Sequence, residues 1–217
     1  MLSDELGAWM EARGWNLPAD ALERVETLLG LWLRYGAVMN LSGARSRADL
    51  LPHVFDGLDT AWLVRDSVGG TGSLRWVDFG SGGGFPGLLV AAVLDCRLHL
   101  LEPRQKRASF LVMASNAIGD SSTTVERARY DRKTWGQSVA SEVIGAGKPE
   151  RVIVSARAVW SPSEWLEVAG HVTNREGHVV MHLATENSPE KFGCQAFVES
   201  DRGTVGLVSL RPGAELR

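Results

Sequence analysis

The spacing of apolar residues divides the chain into two textures. Residues 1–70 read as helices. In ALERVETLLGLWLRYGAVM, positions Leu22, Val25, Leu28, Leu29, Leu31, Trp32 and Leu33 recur near helical spacing with charges between them. SRADLLPHVFDGLDTAWLV continues the pattern, and Pro52 predicts an interruption in it. Glycines and serines in SVGGTGS then predict a loop. Beyond it short apolar runs alternate with helical stretches. SLRWVDF, CRLHLLE, STTVERA, RVIVSARAV, GHVVMHL and GTVGLVSL read as strands. GLLVAAVL and RQKRASFLVMASNAI read as helices, the first with Pro86 in its opening turn. SPSEWLEVAGHV opens on Ser161, Pro162 and Glu164, a capping box with proline at the first helical position. Such alternation predicts an α/β domain with a mostly parallel sheet covered on both faces. The last two strands have no long helix between them, which predicts a terminal hairpin and a mixed sheet. The expected organisation is a helical extension over 1–70 packed on a core domain over 71–217.

Composition narrows the classes. No apolar run in the 217 residues approaches the length of a membrane span, and the acidic, amphipathic start MLSDELGAWMEARGW does not resemble a signal peptide. A cytoplasmic protein is expected. Cys96 and Cys194 are isolated and fit no metal spacing, so packed, reduced thiols and no metal are expected. The net charge is −3, yet it is unevenly spread. Residues 1–30 carry six acidic and two basic side chains, whereas Arg104, Lys106, Arg107, Arg127, Arg129, Arg132 and Lys133 outnumber the acids of 104–133. A basic face of this kind can hold a polyanion on an acidic protein, because salt screening keeps the field local. A solvated surface would look the same by charge alone.

The candidate chemistry lies in WVDFGSGGGFPGLL, Trp76 to Leu89. Gly80, Gly82, Gly83 and Gly84 follow a strand and precede a helix, so the backbone can turn sharply and approach a ligand closely. Gly82, Gly84 and Gly87 satisfy G-x-G-x-x-G, a weak pattern that a dinucleotide site shares. Asp78 weighs against a pyrophosphate and suits a ligand with an ammonium group and a cationic sulfur, such as S-adenosyl-L-methionine (SAM). Glu102 ends the next strand, where an acid takes both hydroxyls of an adenosine ribose in either kind of site.

Several stretches together resemble the bacterial ribosomal small-subunit methyltransferase G family, also called glucose-inhibited division protein B. They are Asn40, Leu41 and Ser42, then His53 and Asp56, then VDFGSGGGFPG, LLEPRQKRASFL, VERARYD and VSARAVWS, within roughly residues 30–185. The resemblance implies a Rossmann-like class I SAM-dependent methyltransferase with a seven-stranded mixed sheet. It further implies methylation of N7 of a guanine in 16S rRNA, and hence RNA or a small-subunit precursor as partner. By resemblance, Gly80 and Phe85 line the cofactor; Ser81, Gly82 and Gly84 of the same turn are expected there with Asp78 and Glu102. Ala128 and Arg129 fall on its adenine side, where the family has a small residue and a glutamate. Arg157 falls at the active-site mouth. Leu183 stands where the family has a lysine, which removes a phosphate contact.

Guanine N7 offers an in-plane lone pair, so transfer needs positioning and no dedicated base. His53 and Asp56, three apart on one helix face, are expected to shape the pocket with Arg157 or to form a structural pair. Arg104, Lys106, Arg107, Arg132 and Lys133 are the expected phosphate contacts. Most of the eight tryptophans are expected in the core. A monomer is expected. A non-catalytic RNA-binding relative and a nicotinamide-dependent oxidoreductase are the rival readings.

Overall fold

The computed structural model of the chain describes residues 2–41, 43–69, 74–131, 152–173, 175–200 and 202–210. Three helices come first: α1 (Leu2–Arg13), α2 (Ala19–Met39) and α3 (Arg47–Val68). There follow β1 (Arg75–Phe79), α4 (Gly87–Val93), β2 (Arg97–Leu101), α5 (Gln105–Ala117), β3 (Thr123–Glu126) and β4 (Val152–Ala156). α6 (Pro162–Val172), β5 (His178–Leu183), a 3-10 turn at Pro189–Phe192, β6 (Ala196–Ser200) and β7 (Gly203–Ser209) complete the described chain.

The seven strands form one sheet in the order β3-β2-β1-β4-β5-β7-β6. β1 to β5 run parallel, while β7 is antiparallel to both β5 and β6. The hairpin therefore joins β6 to β7, not the two strands the pattern paired most directly. AFVES was missed as a strand because it is a half-exposed edge with polar residues at its end. Pro52 does not interrupt α3 either. It lies in the second turn, and the carbonyl it leaves unpaired belongs to exposed Ala48, which solvent can satisfy. Ser46 caps α3, and Ser161 caps α6, each through a capping box.

Alternation along the strands sorts two cores. Val77 and Phe79 of β1 join Val154, Trp165 and Met181 on the α6 side. Trp76 points the other way, into a larger core with Leu28, Leu29, Trp32, Leu58, Leu88 and Leu89. α2 and α3 pack on α4 there, and α3 also reaches β6 and β7, so the N-terminal helices add an outer layer on that side of the sheet. Asp78, between Val77 and Phe79, must share the α4 side. Leu183 ends β5 in the α6-side core, which explains an apolar residue at a position where a surface lysine was expected.

α3 crosses α4 at Gly57, where an added Cβ would sit 2.4 Å from Leu89 Cδ1. Gly57→Val should lower stability by about 1–3 kcal/mol through overpacking. A urea unfolding midpoint unchanged from wild type would contradict this contact.

Candidate functional site

The site is built at the carboxyl ends of β1, β2, β3 and β4. After Phe79 the chain turns through Gly80, Gly82 and Gly84, all at positive φ (69°, 58° and 91°), a region side-chain-bearing residues rarely adopt. Gly80 and Ser81 donate their amides to Leu101 O at 2.8 and 3.1 Å. Within the turn, the buried Ser81 hydroxyl donates to Asp78 O at 2.9 Å, and the turn's neighbours fix the rest. Trp32 Nε1 donates to Gly83 O at 2.7 Å, and Phe85 stacks on the Trp32 ring at 4.2 Å. Leu41 O would lie 2.9 Å from a Cβ at Gly83, so the segment after α2 rests directly on the turn. Arg107 donates to Asn40 O at 2.6 Å and ties that segment to α5.

A cavity of about 770 Å³ opens over this turn. Its walls include Leu41, His53, Gly80, Ser81, Gly82, Phe85, Glu102, Arg104, Arg107, Ala128, Arg129, Tyr130, Arg157, Val159 and Trp160. Glu102, at the end of β2, accepts from the Gly82 amide on Oε2 (2.9 Å) and the Arg104 amide on Oε1 (2.8 Å). A carboxylate offers about four acceptor positions, so lone pairs remain for a diol.

Two of the expected lining residues lie elsewhere. Asp78 is 1 % exposed and sits beneath the turn instead of at the cavity's entrance. Strand alternation forces this, and Gly87 makes the room, since a Cβ there would come within 3.1 Å of Asp78 Oδ2. Ser155 Oγ donates to Asp78 Oδ1 at 2.6 Å while accepting from Trp76 Nε1 at 2.8 Å. Oδ2 has no hydrogen-bond partner among the described residues. Burial drives the carboxyl up to about pKa 7 against the pull of Ser155. Gly84 is likewise buried under the turn against Leu88 and Leu111.

His53 and Asp56 do share a helix face, and both meet Arg157 from the end of β4. The guanidinium donates to His53 Nδ1 at 3.1 Å and pairs with Asp56 Oδ2 at 3.1 Å. Because arginine only donates, His53 Nδ1 is the acceptor and Nε2 carries the hydrogen. Burial, reinforced by Arg157, pushes His53 down to about 4. His182, on β5 behind Asp56, was not anticipated. Its Nδ1 lies 3.7 Å from Asp56 Oδ2, and burial pushes it down to about 4 as well. A lone histidine within a strand run gave no sign of this role.

Among the basic residues, Arg104 and Arg129 are exposed and line the cavity, while Lys106 and Arg127 are exposed outside its lining. Arg107, expected to face RNA, is instead folded back onto Asn40. Arg132 and Lys133, and Ser42 of the Asn40–Leu41–Ser42 signature, lie outside the described residues. Tyr130 and Trp160 were missed as lining residues because half-buried aromatics in such a run read as core. No helix among the described residues is long and apolar enough to cross a membrane.

The strand order, the reversed β7, the glycine turn after β1 and the acid after β2 define a Rossmann-like class I methyltransferase. Solved structures with this fold include the METTL16 MTase domain, 13 % identical over 87 % of this chain and 81 % of that one at TM-score 0.54. A point mutant of MtNAS, crystallised in complex with S-adenosylmethionine, is 12 % identical over 88 % and 72 % at TM-score 0.52. The family model for rRNA small subunit methyltransferase G, GidB, matches residues 21–195, and the chain belongs to that family. A ribosomal RNA small subunit methyltransferase G from Oleidesulfovibrio alaskensis is 30 % identical over 82 % of this chain and 72 % of its own length. One from Rhizorhabdus wittichii is 36 % identical over 55 % of this chain, a match that spans about half (52 %) of that relative. The protein is thus a methyltransferase, and a nicotinamide-dependent oxidoreductase is set aside.

Asp78 keeps its proton to about pH 7 when folded, against an ordinary 3.8. Between those values the native state binds the extra proton, so this residue favours folding at low pH and the contribution is lost as pH rises toward 7. His53 and His182 act oppositely between about 4 and 6.5, where the unfolded chain binds more protons. Comparing Asp78→Asn with wild type cancels the histidines. The variant should gain stability relative to wild type between pH 5 and 8 in urea titrations; a constant gap would show that Asp78 is already ionised at pH 5.

Proposed function

We propose that this protein transfers the methyl group of SAM to N7 of a guanine in 16S rRNA, acting as a cytoplasmic monomer on RNA or a small-subunit precursor. The observation that carries the reading is the Glu102 carboxylate, fixed by the Gly82 and Arg104 amides at the lip of a glycine turn with no Cβ in the way. A ribose diol fits the remaining lone pairs of that acid, and a cavity of about 770 Å³ holds a molecule of nucleoside size. Bound there, SAM supplies an electrophilic methyl group on a cationic sulfur.

The chain's own residues position the reactants. Glu102, with Ala128 and Arg129 beyond it, holds the nucleoside end, and Gly80, Ser81 and Gly82 let the rest of the ligand lie close on the backbone. Asp78, under the turn, acts through its field, and a cation above it favours loss of its proton. On the α3 side, Phe85, His53 and Arg157 frame the acceptor. The N7 lone pair needs no base, and His53 is suited to this, since its Nδ1 is occupied by Arg157 and its Nε2 carries a hydrogen. Orientation and exclusion of water then account for the rate. Arg104, Lys106 and Arg127 supply phosphate contacts that set affinity without choosing the base.

Glu102→Ala should weaken SAM binding at least tenfold by calorimetry, from the lost charge-assisted bonds to the diol. Labelled methyl from SAM should appear at one guanine N7 of under-methylated 16S rRNA. Label found only on protein, or none at all, would leave a non-catalytic RNA-binding relative as the better reading. Replacing Arg104 and Lys106 by alanine should reduce the slope of log affinity against log salt by about 0.7–0.9 per residue. A slope equal to wild type would return both to ordinary solvated surface.

A further inference from the structure

The cavity has two aromatic walls on opposite faces of the sheet. On the α3 side Phe85 stands on Trp32 with His53 tilted against it at 5.3 Å. On the α6 side Trp160 stacks on Trp165, with centroids 5.5 Å apart and planes 6° from parallel. Tyr130 and Phe79 meet the Trp160 ring edge-on at 5.9 and 6.3 Å. Tyr130 is itself held by a hydrogen bond between its Oη and His171 Nδ1 at 2.9 Å. Trp165 is buried and anchored through Nε1 to Val180 O at 2.9 Å. Trp160, in contrast, is half-buried and lines the cavity.

An indole braced on one face and at its edges, and open to a cavity, is a preformed surface for a flat ring. Topology indicates which ring. Tyr130 follows Ala128 and Arg129 in the segment after β3, and β3 neighbours β2, whose end carries Glu102. Through Tyr130, Trp160 is joined to the segment after β3 that carries Ala128 and Arg129, while its own place in the chain is three residues past Arg157. We propose that Trp160 is the stacking surface for the adenine of the cofactor, with Tyr130 and Trp165 setting its orientation. The proposal rests on the SAM reading above and adds a residue to it. Because the surface recognises adenosine, it serves SAM and the demethylated product alike and gives no preference for the charged sulfur.

The test uses the full chain and S-adenosylhomocysteine, whose binding needs no turnover. Base–aromatic stacking is worth about 1–3 kcal/mol by alanine substitution, so Trp160→Ala should weaken its affinity about 5- to 150-fold. SAM should weaken by the same factor, and Trp160→Phe should recover most of the loss. The Michaelis constant for RNA at saturating SAM should be unchanged. Titrating wild type should quench tryptophan fluorescence by an amount missing in Trp160→Phe, whose thermal midpoint confirms that it is folded. Unchanged affinity in Trp160→Ala, with wild type binding normally, would overturn this inference and leave the SAM reading standing. A raised RNA Michaelis constant with normal cofactor affinity would also overturn it, by moving the stacked purine to the acceptor. Failure of wild type to bind either compound would count against the SAM reading itself.

Discussion

The glycine turn leans on its surroundings, and the contact that reaches it from another layer of the fold is the bond from the Trp32 indole to Gly83 O. A run of glycines loses more conformational freedom on folding than any other sequence of its length, by about 0.5–1 kcal/mol per residue relative to alanine where the structure is regular. Something outside the run must offset that. Here a buried tryptophan, 2 % exposed, satisfies the turn's carbonyl and stacks under Phe85 at its end. Because Trp32 belongs to α2, the N-terminal helices support the turn from beneath as well as packing on the sheet's helices. Loss of their packing would release the turn that the ligand must meet.

The electrostatics follow from the same burial. Asp78 lies where strand alternation puts it, out of water and with one oxygen unpartnered among the described residues. Ser155 cannot fully compensate, since its hydroxyl gives one hydrogen and its own acceptor position is taken by Trp76. The carboxyl therefore keeps its proton until near neutrality. At the mouth the arrangement is reversed, because Arg157 is met by the Asp56 carboxylate and the neutral His53 ring. One acid lacks a countercharge below the turn, and one base is doubly met beside it.

Much of this was legible in the sequence. The strands from SLRWVDF to GHVVMHL, the capping box at Ser161 and the placement of Glu102 follow from period, turn residues and a single acid at a strand end. What could not be read were relations across the sheet. Asp78 looks like an entrance residue in one dimension, and only the facing Gly87 and the apolar Val77 and Phe79 on either side turn it inward. Arg107 reads as one more surface cation until α2 and its following segment are seen to end beside it. His182 and Trp160 carry no local signal, since each owes its setting to residues distant in sequence, Asp56 for one and Tyr130 for the other. Leu183 differs in kind: the departure from the family's lysine was visible, but its use as packing against α6 was not.

The bridge from Arg107 to Asn40 O has a consequence of its own. Asn40 closes α2 in a left-handed conformation, with φ of 50°, at the end where a helix gathers negative partial charge and ordinarily frays. The guanidinium that stabilises this end also borders the cavity. Local opening of the last turn of α2 and occupancy of the cavity are thus coupled equilibria. A molecule that keeps Arg107 in place therefore also favours the closed end of α2.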